Sequence, residues 1–356
     1  MSVTRRKFGK TKDGEPVTLY TITNKMGNSV SIMDYGATVQ SINIVDAEGE
    51  VIDCCLGYNT VAEYEEHTDF MGACIGRVGN RIGGSSFSLN GQTYTLAANE
   101  GENHLHGGLK GFDKQMFKAK IDSDDTVTFG RISPDGEEGY PGEFMFIVSY
   151  TFDDCDNFVM NYTGWNNSET LDTIASITNH TYFNLSGEDA GSILDHTLEL
   201  YASSFTEVDE HLIPTGKLLD VENTPFDFRK GKTLGQDINA DHPQLKLAGG
   251  YDHNFCIDGD GMRPCCTLMS PKTRLKMYVS TDMPGVQIYT GNFISESEGK
   301  AGTDYHHYDG IAIETQFYPD ALNHPEFPSP VLKPRKEYRY TTVYQFSADE
   351  KNASYG

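Results

Sequence analysis

The sequence predicts an all-β protein, a large antiparallel β-sandwich, on three observations: period-two alternation recurs along the chain, helical signals are few and short, and nothing marks a domain boundary. Phe144, Phe146, Val148, Tyr150 and Phe152 fall on alternate positions, as do Tyr338, Tyr340, Thr342, Tyr344 and Phe346. In an extended chain such positions share one face. Runs near 29–34, 38–46, 126–132, 157–163, 173–178, 196–202, 254–258, 265–270, 274–280, 286–290 and 310–317 read as further strands. Residues 86–96 read as a hairpin, because Asn90-Gly91 can adopt the positive φ angles of a two-residue type I′ turn. Thr60, with Glu63 three residues on, has the pattern of a capping box and opens a short surface helix, not a layer. The 36 glycines and 14 prolines are spread evenly, with no repeat, low-complexity tract or polar linker. The expectation is one continuous domain over 1–356. Because every sheet must bury a face, this many strands imply two packed sheets or a barrel, and a large sandwich accommodates the count best.

The balance of 52 acidic to 28 basic residues gives a net charge of −24. Such a field repels phosphate backbones and anionic lipid, so neither nucleic acid nor membrane is an expected partner. A phosphorylated ligand needs a local basic pocket, and no Lys/Arg cluster advertises one. A neutral small molecule is favoured. The basic N-terminus runs into polar residues and lacks the apolar stretch of a signal peptide. No later segment approaches the ~18 uninterrupted apolar residues of a membrane span. The chain reads as soluble and cytoplasmic, and as a monomer or weak homodimer. Its seven cysteines include the adjacent pairs Cys54-Cys55 and Cys265-Cys266 but no C-x-x-C, and they read as reduced thiols. Sequons at Asn161, Asn166, Asn179, Asn184 and Asn352 carry little weight without an export signal.

Polar side chains gather in five places: Gly79-Asn80-Arg81, residues 103–108, 178–184, 249–254 and 311–317. In the last, alternation places Ile311, Ile313, Thr315 and Phe317 on one face and Ala312, Glu314 and Gln316 on the other. Glu314 is thereby held on a strand. If that second face is interior, desolvation raises its pKa and makes it a better base near neutrality; it could equally be a solvent face. His104 and His106 have the i, i+2 spacing of a metal pair on a strand, but the two glycines that follow argue for a turn. His306-His307 point to opposite faces and read as exposed. His180, among Ile177, Tyr182 and Phe183, is either a satisfied core histidine or a proton donor. Asp252-His253 after two glycines reads by itself as a turn.

Together these segments resemble the aldose 1-epimerase (galactose mutarotase) family. The match runs, in order, through Gly76-Arg77-Val78-Gly79-Asn80-Arg81-Ile82, Leu105-His106-Gly107-Gly108, Asn179-His180-Thr181-Tyr182-Phe183-Asn184-Leu185, Tyr251-Asp252-His253-Asn254-Phe255, residues 284–292 and Glu314-Thr315-Gln316. It spans nearly the whole chain. The resemblance implies a β super-sandwich with a sugar site that needs neither cofactor nor metal, and a free hexose as ligand. It further implies that Glu314 is the general base at the C1 hydroxyl and His180 the general acid at the ring oxygen. His106 would be a second active-site histidine near that oxygen. Asn80, Arg81, His106, His180, Thr181, Tyr182, Asp252 and Gln287 would bind the sugar. The chemistry suits these residue types. Opening a cyclic hemiacetal removes a proton from O1 and adds one to O5; rotation about C1–C2 then presents the other carbonyl face. Each positioned proton transfer contributes about 10²- to 10⁴-fold. Three rival readings remain: a hexose-6-phosphate epimerase with extra cations beside Arg81, a cupin-like metal enzyme built on His104 and His106, and a non-catalytic sugar-binding protein.

Overall fold

In the computed structural model the described residues are 1–348 apart from Ser295, with the backbone alone for Ala301. The sequon at Asn352 and the end of the expected domain, residues 349–356, lie outside them.

Three antiparallel sheets carry the fold. Ser2–Lys10, Pro16–Thr23, Ser29–Met33, Thr38–Val45 and Val51–Asp53 form a five-stranded meander in chain order. A nine-stranded sheet runs Lys118–Ser123, Thr126–Ser133, Phe144–Phe152, Asn157–Asn166, Glu337–Ala348, Leu275–Thr281, Arg263–Met269, Thr197–Leu200 and Lys232–Thr233. A six-stranded sheet runs Tyr182–Phe183, Ile311–Gln316, Gly285–Tyr289, Asp252–Ile257, Ala202–Val208 and Pro214–Asp220.

Alternation predicts which side chains face the core. From Phe144 to Phe152 every second residue is buried and the intervening ones are half-buried. Phe146 stacks on Phe112 and Phe144 at ring distances of 5.5 and 6.0 Å, and Tyr150 on Phe158 at 5.7 Å. Burying each such ring contributes roughly 1.5–3 kcal/mol. Across the core lies the six-stranded sheet: Tyr344 donates its hydroxyl to the Ile313 carbonyl at 2.8 Å, and the Tyr344 and Phe183 rings meet at 5.0 Å. Ile311 and Ile313 thus seal one face of their strand.

The opposite face of that sheet carries Asp252, Asn254, Gln287, Glu314 and Gln316, and it is not a solvent face. Glu314 is 1% exposed and Gln316 is fully buried. Loops from the first half of the chain and the turn around His180 cover it.

Local expectations hold where local chemistry decides. Asn90 and Gly91 have φ of 53° and 78° between strands Ser86–Leu89 and Gln92–Thr95. Thr60 caps the helix Val61–Glu66 through a complete capping box. A second short helix, Pro243–Ala248, carries Pro at its first position and His242 as N-cap. Asp252-His253, by contrast, is not a turn. Gly249 and Gly250, at φ 64° and 144°, make the turn, and Asp252 already pairs with Tyr289. Three of the sequon asparagines, Asn166, Asn179 and Asn184, are buried. No helix among the described residues is long and apolar enough to cross a membrane.

Candidate active site

Glu314 occupies the middle of the strand Ile311–Gln316, flanked by Tyr182–Phe183 on one side and directly opposite Gln287 on the other. Its Oε1 lies 3.6 Å from Nε2 of His180, and its Oε2 has no hydrogen-bond partner among the described residues. Burial first, and the charge of Asp252 second, push its pKa well above the usual carboxylate range, with Arg81 opposing.

His180 follows the two-residue strand Thr178–Asn179, and its main chain is pinned on both sides. Its N–H donates to the Ala73 carbonyl, and its carbonyl accepts from Gly72, each at 2.9 Å. Phe70, His106 and Tyr182 surround the ring at centroid distances of 5.9, 5.0 and 4.9 Å. Burial among them lowers its pKa to about 4.

His106 sits in the left-handed region at φ 49°, followed by Gly107 at 89° and Gly108 at 105°. A Cβ on Gly107 would fall 1.9 Å from the Gly76 carbonyl, and one on Gly108 2.2 Å from the Glu138 carboxylate. Only glycines let this turn close. His106 Nδ1 accepts the Asn80 backbone N–H at 3.1 Å. The neutral ring therefore carries its proton on Nε2. Burial, then His180 and Arg81, hold its pKa well below the ordinary value.

Arg81 follows Asn80, whose φ is 61° and whose Oδ1 accepts the Arg81 N–H at 2.8 Å. Its guanidinium makes two bonds of 2.8 Å to Glu100 and reaches Asp252 at 3.6 Å. Gln287 donates its amide to Asp252 at 2.6 Å. These groups converge on a cavity of about 220 Å³, lined by Asn80, Arg81, His106, His180, Tyr182, Asp252 and Glu314.

Two sequence candidates do not line that cavity. The Thr181 hydroxyl donates to Asn179 Oδ1 at 2.6 Å, shaping the turn that presents His180. Gln287 lies behind Asp252 and fixes its orientation. Conversely, Thr68, Asp69, Phe70, Glu100 and Phe293 line the cavity without having been singled out, as do Leu105 and Tyr289, which belong to the family segments but were given no role. Tyr289 shares a strand face with Gln287 two residues earlier, a signal alternation offered. Phe70 and Glu100 gave none.

His104 and His106 do not form a metal pair. His104 is a buried tie: Nδ1 bonds the Ala97 carbonyl and Nε2 the Tyr140 hydroxyl, each at 2.7 Å. His106, His180 and Glu314 do bring one donor atom each within 4.8 Å of one another. A metal-bound histidine donates its second ring nitrogen to an acceptor. His106 instead accepts there, and its other nitrogen holds the proton, so the donor set does not fit a cation. His306 and His307 are exposed, as expected.

A super-sandwich with a buried acid facing a neutral imidazole, ringed by donors and acceptors of the kind hydroxyls need, has the make-up of an acid–base carbohydrate enzyme. The chain belongs to the aldose 1-epimerase family, whose sequence model matches residues 18–345. It is 42% identical to a galactose mutarotase of Bos taurus over 320 residues, which is 89% of this chain and 91% of the relative. To an aldose 1-epimerase of Escherichia coli (strain K12) it is 37% identical over 343 residues, covering 95% and 97% of the two. Among solved structures it superposes on a galactose 1-epimerase from Lactobacillus acidophilus NCFM with a TM-score of 0.84, at 28% identity and covering 98% of this chain and 99% of that one.

Proposed function

We propose that this aldose 1-epimerase interconverts the α and β anomers of free hexoses, D-glucose and D-galactose among them, with Glu314 and His180 as the acid/base pair. The observation that carries the proposal is their separation of 3.6 Å at a buried cavity floor. O1 and O5 share one carbon, and two proton carriers this close can serve both oxygens at once.

The pair needs a single proton throughout. With the ring closed, Glu314 is the carboxylate that takes the O1 proton and His180 the imidazolium that protonates O5. The ring opens, leaving a carboxylic acid and a neutral imidazole. After rotation about C1–C2 the two transfers run backwards and close the other anomer. Burial favours the uncharged arrangement, which belongs to the open-chain stage, so the pair does not trap the sugar as a ring. His106 points an Nε2–H donor into the cavity. Asn80, Arg81 and Asp252 read hydroxyls, with Thr181 and Gln287 holding His180 and Asp252 in place.

The same reading takes the chain as one domain, supported by a core cluster that runs from Tyr20 to Phe346. It has the protein act as a monomer or weak homodimer in the cytoplasm, where its seven free cysteines would stay reduced.

Polarimetry tests the proposal. Protein should speed the approach of α-D-glucose or α-D-galactose to anomeric equilibrium, and Glu314→Gln or His180→Asn should each lower kcat by about 10²- to 10⁴-fold. Wild-type protein no faster than buffer on any free aldose overturns it.

A further inference from the structure

We infer that Glu100 sets the charge specificity of the site by occupying the guanidinium face of Arg81 where an anionic sugar would otherwise bind, so that hexuronates and hexose phosphates are refused. The inference rests on the sugar site proposed above and concerns which sugars it takes.

Arg81 is the only lysine or arginine among the described residues lining the cavity, whereas Asp69, Glu100, Asp252 and Glu314 all line it. An arginine in a sugar pocket is a ready-made receptor for a carboxylate or phosphate, because its fork matches two oxygens at once. Here the fork is taken: Nε and Nη2 each donate to one oxygen of Glu100 at 2.8 Å. The third nitrogen, Nη1, is turned toward Asp252 at 3.6 Å.

The placement of Glu100 is built rather than incidental. Its N–H and carbonyl exchange bonds with Asn103 at 3.1 and 2.9 Å, closing a tight turn through Gly101 at φ 60°. Asn103 Oδ1 accepts the Gly84 N–H at 3.0 Å, and Asn99 brackets Leu105, donating to its carbonyl and accepting its N–H at 2.9 and 2.8 Å. Leu105 is in register with Arg81. The turn is thereby tied to the strand it serves. The Glu100 side chain remains 35% exposed, at the cavity wall, where an arriving ligand meets it. The Nη1 edge stays open to a neutral hydroxyl, but an anion there lies beside Asp252 and Glu100, and it can take the two-pronged Nε/Nη2 face only by displacing the bidentate carboxylate. Rejection by an unpaired charge is a recognised source of specificity.

The test compares the ratio of kcat/KM for D-galacturonate to that for D-galactose in wild type, Glu100→Gln, Glu100→Ala and the remote exposed control Glu222→Gln, with melting curves to verify folding. The ratio should be low in wild type and in Glu222→Gln and should rise at least about tenfold in Glu100→Gln, within the range that single pocket contacts command. Glu100→Ala should raise it too, and D-glucose 6-phosphate should follow galacturonate. A structural role for Glu100 would move both sugars together and leave the ratio fixed. In wild type, raising ionic strength should lift the ratio by screening the exposed carboxylate. A folded Glu100→Gln with an unchanged ratio, or a wild type that turns over both sugars equally, overturns the inference while leaving mutarotation itself intact. Loss of wild-type activity on galactose is a different result and strikes the proposed function.

Discussion

The backbone N–H of Asn80 donates to Nδ1 of His106 at 3.1 Å, and the N–H of His106 returns a bond of 3.1 Å to the Asn80 carbonyl. This exchange fixes more than a loop. It decides which ring nitrogen carries the proton, and so makes His106 a donor toward the cavity and not a base.

That tautomer is directly observable. Nitrogen-15 NMR should find His106 neutral and protonated at Nε2, and it should stay neutral after ordinary imidazoles have taken their second proton. Glutamine can present an amide N–H near the position of Nε2. His106→Gln should therefore keep about five- to tenfold more activity than His106→Leu, the worth of one neutral hydrogen bond. Equal losses in the two variants would assign His106 a role other than donation.

The one-proton pair predicts a plateau in the pH dependence of kcat. Below about 4, the value to which burial lowers His180, a second proton binds and no base remains. Above the raised pKa of Glu314 the last proton leaves and no acid remains. Asp252 helps to raise Glu314, so Asp252→Asn should move the alkaline limb to lower pH and leave the acid limb in place. Movement of the alkaline limb upward would contradict the assignment.

Acid should destabilise the fold through its buried imidazoles. Burial holds His104, His180 and His196 at about 4 and His253 at about 3, against 6.5 when unfolded. The unfolded chain then binds more protons, so their contribution is complete above pH 6.5 and is lost as pH falls toward 4, by roughly 3 kcal/mol each. Buried Asp113, raised to about 7 by desolvation, acts in the opposite sense. It favours the fold below its unfolded pKa and penalises it as pH rises through 7. Asp113→Asn should therefore steepen the loss of Tm on acidification between pH 6.5 and 4; a shallower curve would refute this balance.

Gly107 should tolerate no side chain. Its φ of 89° costs an L-residue roughly 1–2 kcal/mol. The added Cβ would also meet the Gly76 carbonyl at 1.9 Å. Gly107→Ala should displace His106, lowering activity together with Tm. Gly136→Ala, at a similar φ of 83° but in open space, should lower Tm alone.

What could be read along the chain was what local chemistry controls. Asn90-Gly91, the Thr60 cap and the face shared by Glu314 and Gln316 depend on neighbours within a few residues. Whether that face was wet or dry depended on segments more than a hundred residues away, such as the one bearing His180. Family resemblance supplied the roles of His180, Arg81 and Asp252. Glu100 and Phe70 stayed invisible because turns, which have no period, deliver them. Taken by itself Asp252-His253 reads as a turn, yet pairing with Tyr289 outweighs that local hydrogen-bonding habit. Thr181 and Gln287 shape the site from behind its wall, a distinction that only three dimensions supply.

Glu314 sits on a strand paired with Tyr182–Phe183 at its start and with Gly285–Tyr289 along the rest of its length, and every residue of that strand is buried. The amides of 311–316 should then exchange hydrogen only through global opening, the slowest class in the molecule. A site seated in the last part of a protein to open has no private way to fail. Heat inactivation and melting should superimpose, so loss of mutarotation with temperature becomes a direct reporter of the unfolded fraction.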